Sequence, residues 1–213
     1  MIDTMKVDYT LCIIIDQDHI GNRDLKALTE DVIRGGATLL QYRNKSGSSN
    51  QFYHNAMLIH KISRSYHIPL VVNDRTDLAL AINAEGVHVG QDDLPAGVVR
   101  RLIGPDKLIG ISVNNPEQLH DTREANYLGV GALFKTQTKS DAIYSGLDLI
   151  KQVRRHSTLP VIGIGGIQMD NCELVIQAGA DGIAVISAVL GADNPFSAVR
   201  QMRIKMNHIK QRR

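Results

Sequence analysis

Short apolar, β-branched runs recur eight times along this chain, most of them followed by a longer stretch with helical spacing. They fall at 11–15, 38–42, 69–72, 86–89, 107–113, 127–131, 160–163 and 182–186. Most are continuous rather than alternating, as in strands covered on both faces. Between them lie amphipathic segments such as 51–66, 147–156 and 171–178. Strand and helix in alternation imply parallel strands with right-handed crossovers. Gly36, Gly86 and Gly179 stand where a helix end turns into the next strand, a place for a left-handed cap. Eight units in 213 residues predict an α/β protein, a single (β/α)8 TIM barrel with one catalytic domain over 1–213. Such barrels typically take ~250 residues. An open doubly wound sheet is the alternative.

Polar residues gather after the predicted strands rather than before them. Asp16, Gln41, Arg43, Asn73, Asp74, Asp93, Ser112, Thr136, Gly166 and Ser187 all stand at carboxyl ends. Barrels build their active sites on that face. The net charge of +2 gives no nucleic-acid or membrane reading, and the lack of Trp argues weakly against base stacking. Small phosphorylated molecules are the partners that the chain's ligand clusters suggest. The first six residues carry no apolar signal core, and no run is long enough to span a bilayer. Cys12 and Cys172 form neither a disulfide framework nor a zinc pattern, which fits a reducing, cytoplasmic compartment. The basic stretch from Lys205 onward reads as a solvated helix end. No feature specifies a subunit interface, so a homo-oligomer stays open.

Gln41, Arg43 and Lys45 are spaced by two. Leu40 and Tyr42 suit the helix-covered outside, which turns Gln41 and Arg43 inward. A buried Arg needs an anion, either a phosphate ligand or a structural carboxylate. Asp74 ends the third run, where it suits either a helix cap or a metal. Asp93 ends the fourth, so the two carboxylates converge as a Mg²⁺ site would require, with Asp92 as the competitor for that role. His88 reads as a core residue, since no further zinc ligand is suitably placed. Thr136-Gln137-Thr138-Lys139 offers hydroxyls and an ammonium to a phosphoryl group. Gly163-Ile164-Gly165-Gly166 precedes a helix, which would let backbone N–H groups approach an anion. With Ile186-Ser187 it falls in the loops after strands seven and eight, the usual phosphate site of barrels. No nucleophile–base pair emerges. A site rich in anion and metal ligands favours chemistry driven by departure of a leaving group.

In order and spacing these motifs resemble the thiamine phosphate synthase family. They are Gln41-x-Arg43-x-Lys45, Val72-Asn73-Asp74, His88-Val89-Gly90-Gln91-Asp92-Asp93, Gly110-Ile111-Ser112, Thr136-Gln137-Thr138-Lys139 and Gly163 to Ile167. The resemblance implies coupling of 4-amino-2-methyl-5-(diphosphooxymethyl)pyrimidine to hydroxyethylthiazole phosphate, releasing thiamine phosphate and diphosphate. It assigns the pyrimidine diphosphate to Gln41, Tyr42, Arg43, Asn44, Lys45, Asn73, Ser112 and Lys139. Arg43, Lys45, Ser112 and Lys139 among them would be catalytic. It assigns the thiazole phosphate to Thr136, Gln137, Thr138, Gly166, Ile186 and Ser187, and Mg²⁺ to Asp74 and Asp93. This chain departs from the family pattern at Asn44, where Glu is usual, and at Ala132 and Lys135, where Pro is usual. Related thiazole tautomerases carry a His where this chain has Ala132. A non-catalytic sensor would not need the complete set of metal and phosphate ligands.

Overall fold

The computed structural model describes residues 7–135 and 144–212. Eight parallel strands close on themselves in sequence order: β1 Leu11–Asp16, β2 Leu39–Arg43, β3 Leu70–Asn73, β4 Gly86–Val89, β5 Leu108–Val113, β6 Tyr127–Val130, β7 Val161–Ile164 and β8 Gly182–Val185. Leu11 of β1 lies opposite Ile183 of β8, which closes the ring and rules out the open sheet. The helices are α1 Leu25–Gly35, α2 Ser49–Ser65, α3 Thr76–Ala81, α4 Ala96–Ile103, α5 Asp148–His156, α6 Cys172–Gln177, α7 Ser187–Leu190 and α8 Pro195–Gln211. Between β5 and β6 a 3-10 turn, Pro116–Asp121, stands in for a helix.

Local chemistry sets the helix ends. The Asp24, Ser48 and Asn194 side chains accept hydrogen bonds from the first turns of α1, α2 and α8. Gly36 ends α1 at φ 113°, in the left-handed region that glycine adopts without a Cβ clash. The strands then divide their side chains by parity. Cys12, Ile14, Leu39, Val71, Leu108, Tyr127, Ile162 and Ala184 fill the barrel interior. Leu11, Ile13, Leu40, Tyr42 and Val72 join the larger core between the strands and the helices.

A four-fold device holds the amino end of the barrel. Thr38 Oγ1 accepts from Leu11 N at 2.9 Å, Glu85 Oε2 from Leu70 N at 3.0 Å, Asn126 Oδ1 from Ile109 N at 2.8 Å, and Asp181 Oδ2 from Val161 N at 2.8 Å. Each acceptor directly precedes an even-numbered strand and satisfies an N–H at the start of the odd-numbered strand before it. Such N–H groups are costly to leave unpaired in a buried sheet. This face carries stability and frees the other face for chemistry.

Glu85 provides a pH test of that division. Burial pushes its carboxyl up, but hydrogen bonds from His60 and Leu70 outweigh this and leave it below the ordinary 4.5. A depressed folded-state value gives stability that is present above 4.5 and lost as pH falls through the folded value. Glu85→Ala is therefore expected to cost about 1–3 kcal/mol at neutral pH. Urea titrations should show the gap from wild type narrowing as the buffer is acidified.

Candidate active site

The carboxyl ends of the strands surround a cavity of about 440 Å³. Its floor is apolar, made by Ile14, Ile164 and Ala184 together with Gly129. Gln41, Arg43, Lys45, Asn73, Asp74, Asp93 and Ser112 line one side, and Gly131, Ala132, Gly165, Gly166, Ile186 and Ser187 the other.

The β2 side chains follow the parity of the strand. Gln41 points inward, where its Nε2 donates to Asn73 Oδ1 at 3.1 Å. Arg43 also points inward, and its Nη1 donates to Asp16 Oδ2 at 2.6 Å. Asp16 and Arg43 are register partners on β1 and β2, and Asp16 is 0% exposed. The anion that Arg43 needs is thus supplied by the fold, while its Nε is buried and has no partner among the described residues. Sequence alone marks Asp16 only as a polar strand end. The signal that could have found it is the buried Arg on the neighbouring strand.

Two residues expected to hold the diphosphate face away from the cavity. Tyr42 is fully buried on the outer face, edge-on to Phe52, with its hydroxyl accepting from Asn55 and donating to Gln17. Asn44 is turned to its own loop, where its Oδ1 accepts from Gly47 N at 2.7 Å and its Nδ2 approaches the Tyr42 hydroxyl. Both side chains are thus turned away from the cavity, which leaves their backbone groups to face it.

Asp74 stands at φ 62°, a left-handed conformation unusual for a residue with a Cβ. Its N–H donates to His88 O at 2.8 Å, and its carboxylate is ion-paired with Lys45. It caps nothing, because α3 begins at Thr76 without a side-chain cap. Asp93 accepts from Gly90 N at 2.7 Å. Burial and then the adjoining Asp74 carboxyl raise Asp93 above its ordinary 3.8, against the Gly90 N–H and the nearby Lys45. Asp93 therefore adjoins Asp74, whereas Asp92 is exposed at the rim. Two adjoining carboxylates with open space before them fit Mg²⁺, which completes its shell with water and substrate phosphate. Among the described residues no cluster of three or more His, Cys, Asp or Glu could hold a metal.

The opposite wall is backbone. Gly165 and Gly166 take φ 95° and 65°, and Gly165 O accepts from Phe134 N at 3.1 Å. The turn does not open a helix directly, because α6 starts only at Cys172. A Cβ at 166 would stand 2.6 Å from Lys135 O and 2.8 Å from Phe134 Cβ. Gly166→Ala is thus expected to cost about 1–3 kcal/mol in urea unfolding, through its backbone conformation and this contact. Across the turn, Ser187 begins α7, whose first N–H groups have no preceding turn to pair with. The Gly131–Ala132 peptide nearby is cis. Thr136, Gln137, Thr138 and Lys139 lie outside the described residues.

Comparison with known proteins identifies the family. The family described as thiamine monophosphate synthase matches residues 11–189. A thiamine-phosphate synthase of Clostridium tetani is 44% identical over 198 residues, 92% of this chain and 95% of its own. One from Chloroflexus aurantiacus is 47% identical over 200 residues, 92% of each chain. The solved thiamine phosphate pyrophosphorylase of Pyrococcus furiosus superposes with a TM-score of 0.86 at 33% identity, covering 96% of this chain and 98% of that one. With a family match across most of its length and relatives of this similarity over nine-tenths of it, the chain belongs to the thiamine monophosphate synthase family.

Proposed function

We propose that this transferase joins the methylene of 4-amino-2-methyl-5-(diphosphooxymethyl)pyrimidine to the ring nitrogen of hydroxyethylthiazole phosphate, releasing diphosphate. The whole chain, 1–213, acts as one catalytic domain. The observation that carries the reading is one cavity with two unlike walls. Charged groups line one side, and glycine backbone with Ser187 lines the other. Such a cavity suits a diphosphate and a separate monophosphate better than a single anion.

Arg43 and Lys45 supply positive charge beside the departing diphosphate, and Ser112 supplies a hydroxyl. Their interactions strengthen as negative charge builds on the leaving group. Asp74 and Asp93 would hold Mg²⁺, which adds its own charge there when bound. Gln41, fixed by Asn73, faces the apolar floor, where a flat pyrimidine ring fits. On the far wall Gly166, Ile186 and Ser187 receive the thiazole phosphate. The thiazole nitrogen already carries a lone pair, so no base is required and the remaining task is alignment. Lys139 and the 136–138 loop would complete both phosphate sites. Cys12 and Cys172 are buried free thiols, which fits a reducing cytoplasm. No described helix is long and apolar enough to cross a membrane.

The test is a coupling assay with both substrates, with and without Mg²⁺. Thiamine phosphate and diphosphate should form in equal amounts and only with the metal. Product formed equally well under chelation, or none at all, would refute the reading.

A further inference from the structure

Beside Ser112, at the cavity wall, lies a buried group that the reaction as written does not use. His88 Nδ1 is 3.0 Å from the Tyr127 hydroxyl, and His88 Nε2 is 3.0 Å from Ser112 Oγ. His88 and Tyr127 are both buried, in the barrel interior. Burial holds the Tyr127 hydroxyl well above its ordinary range, so it remains a phenol with a proton to donate. The acceptor that this proton meets among the described residues is His88 Nδ1. Leaving a buried donor unpaired is costly, which favours Tyr127 as the donor in that bond. With Nδ1 accepting, a neutral imidazole carries its hydrogen on Nε2. Nε2–H then donates to Ser112 Oγ. The serine's own hydrogen is left to point elsewhere, and the space Ser112 lines is the cavity.

The sheet is built around this chain of bonds. Gly110 lies opposite His88 on one side and Tyr127 on the other. A Cβ at Gly110 would overlap both the His88 ring and the Tyr127 hydroxyl. A Cβ at Gly129 would stand 2.8 Å from His88 Cε1. Gly110 and Ser112 are two apart on β5 and so share a face. One makes room for the ring and the other receives its hydrogen bond. The Gly110-Ile111-Ser112 motif is thereby explained as a unit.

We propose that Tyr127 and His88 are positioning residues, forming a one-way hydrogen-bond chain through His88 to Ser112 that presents the serine hydroxyl as a donor to the departing diphosphate. This rests on the function proposed above. His88 exchanges no proton with substrate in this scheme, and its part is to fix the direction of the Ser112 hydrogen.

The first measurement is independent of turnover. In protein labelled with ¹⁵N-histidine, long-range ¹H–¹⁵N correlation reads the protonation of each ring nitrogen. His88 is identified by the signals missing from His88→Gln. Wild type should show the Nε2–H tautomer, and Tyr127→Phe should lose that fixed preference. An Nδ1–H tautomer or a charged ring in wild type at neutral pH would overturn the direction of the chain. The second measurement is kinetic. His88→Leu should lower kcat on the order of 10–100-fold, as loss of an orienting partner does, with little change in KM for the pyrimidine diphosphate. His88→Gln, whose amide N–H can replace Nε2–H, should recover most of it. In a Ser112→Ala background, His88→Leu should cost little more, whereas losses that multiply would overturn the proposal. Absence of coupling by wild type would overturn the function itself, and with it the diphosphate as recipient, even with the expected tautomer.

Discussion

Asp74→Asn and Asp93→Asn should each reduce Mg²⁺-dependent turnover about 10²–10³-fold, the kinetic equivalent of several kcal/mol of charge stabilisation. The two carboxyls adjoin one another, so in the proposed site losing either would leave a single carboxylate for the ion. Manganese binding followed by electron paramagnetic resonance should fall in parallel, without reference to activity. Stability should move the other way. Burial and Asp74 raise Asp93 above the ordinary 3.8, so the folded state holds its proton more tightly than the unfolded chain does. Such a group loses stability as pH rises from 3.8 through its folded value, and at neutral pH its charge is a burden. Asp93→Asn should therefore melt at or above the wild-type temperature while losing the metal. A variant that lost both metal binding and its fold would instead make Asp93 a structural residue. Asp92→Ala should be mild, because that side chain is exposed at the rim.

The pattern of success in reading the chain follows from parity and proximity. The strands were legible because continuous apolar runs mark two-sided burial, and all eight lie within a residue or two of their predicted bounds. Gln41 and Arg43 could be turned inward because Leu40 and Tyr42 must face the helices. The same rule turns the Tyr42 side chain outward, whereas family resemblance attaches a motif as a block and ignores alternation within it. The Asn44 side chain was hidden for a related reason: it closes its own loop through Gly47 N. Contacts between strands were less legible. Asp16 and Arg43 stand 27 positions apart, and only the β1–β2 register makes them partners. The link from Tyr127 to His88 spans 39 positions and depends on two glycines leaving space in the barrel interior. Sequence left Asp74 open between a helix cap and a metal ligand, because Asn-Asp is a common cap pair. Here the left-handed backbone directs that carboxylate to Lys45 instead.

Arg43→Ala should destabilise the protein by about 3–5 kcal/mol, the usual cost of removing one partner from a buried ion pair. Asp16 is 0% exposed and would be left with the Asp18 N–H at 3.2 Å and His19 at 3.5 Å, neither a replacement for a guanidinium. The reverse substitution should cost less. The Arg43 side chain keeps 12% exposure and borders the cavity, so without Asp16 its charge can turn toward water or ligand. Asp16→Ala with Arg43→Ala should be more stable than Arg43→Ala alone, because no charge then remains buried and unpaired. Urea unfolding of the four proteins completes a double-mutant cycle, and additive losses would show that the pair is not coupled. Binding should divide differently from stability. Arg43→Ala should weaken the pyrimidine diphosphate and spare the thiazole phosphate, whereas Asp16→Asn retains the cation and should spare both in the ground state. If Asp16→Asn binds diphosphate normally yet turns over slowly, then the aim of the guanidinium matters more than its charge, as expected for an interaction that strengthens while the leaving group departs.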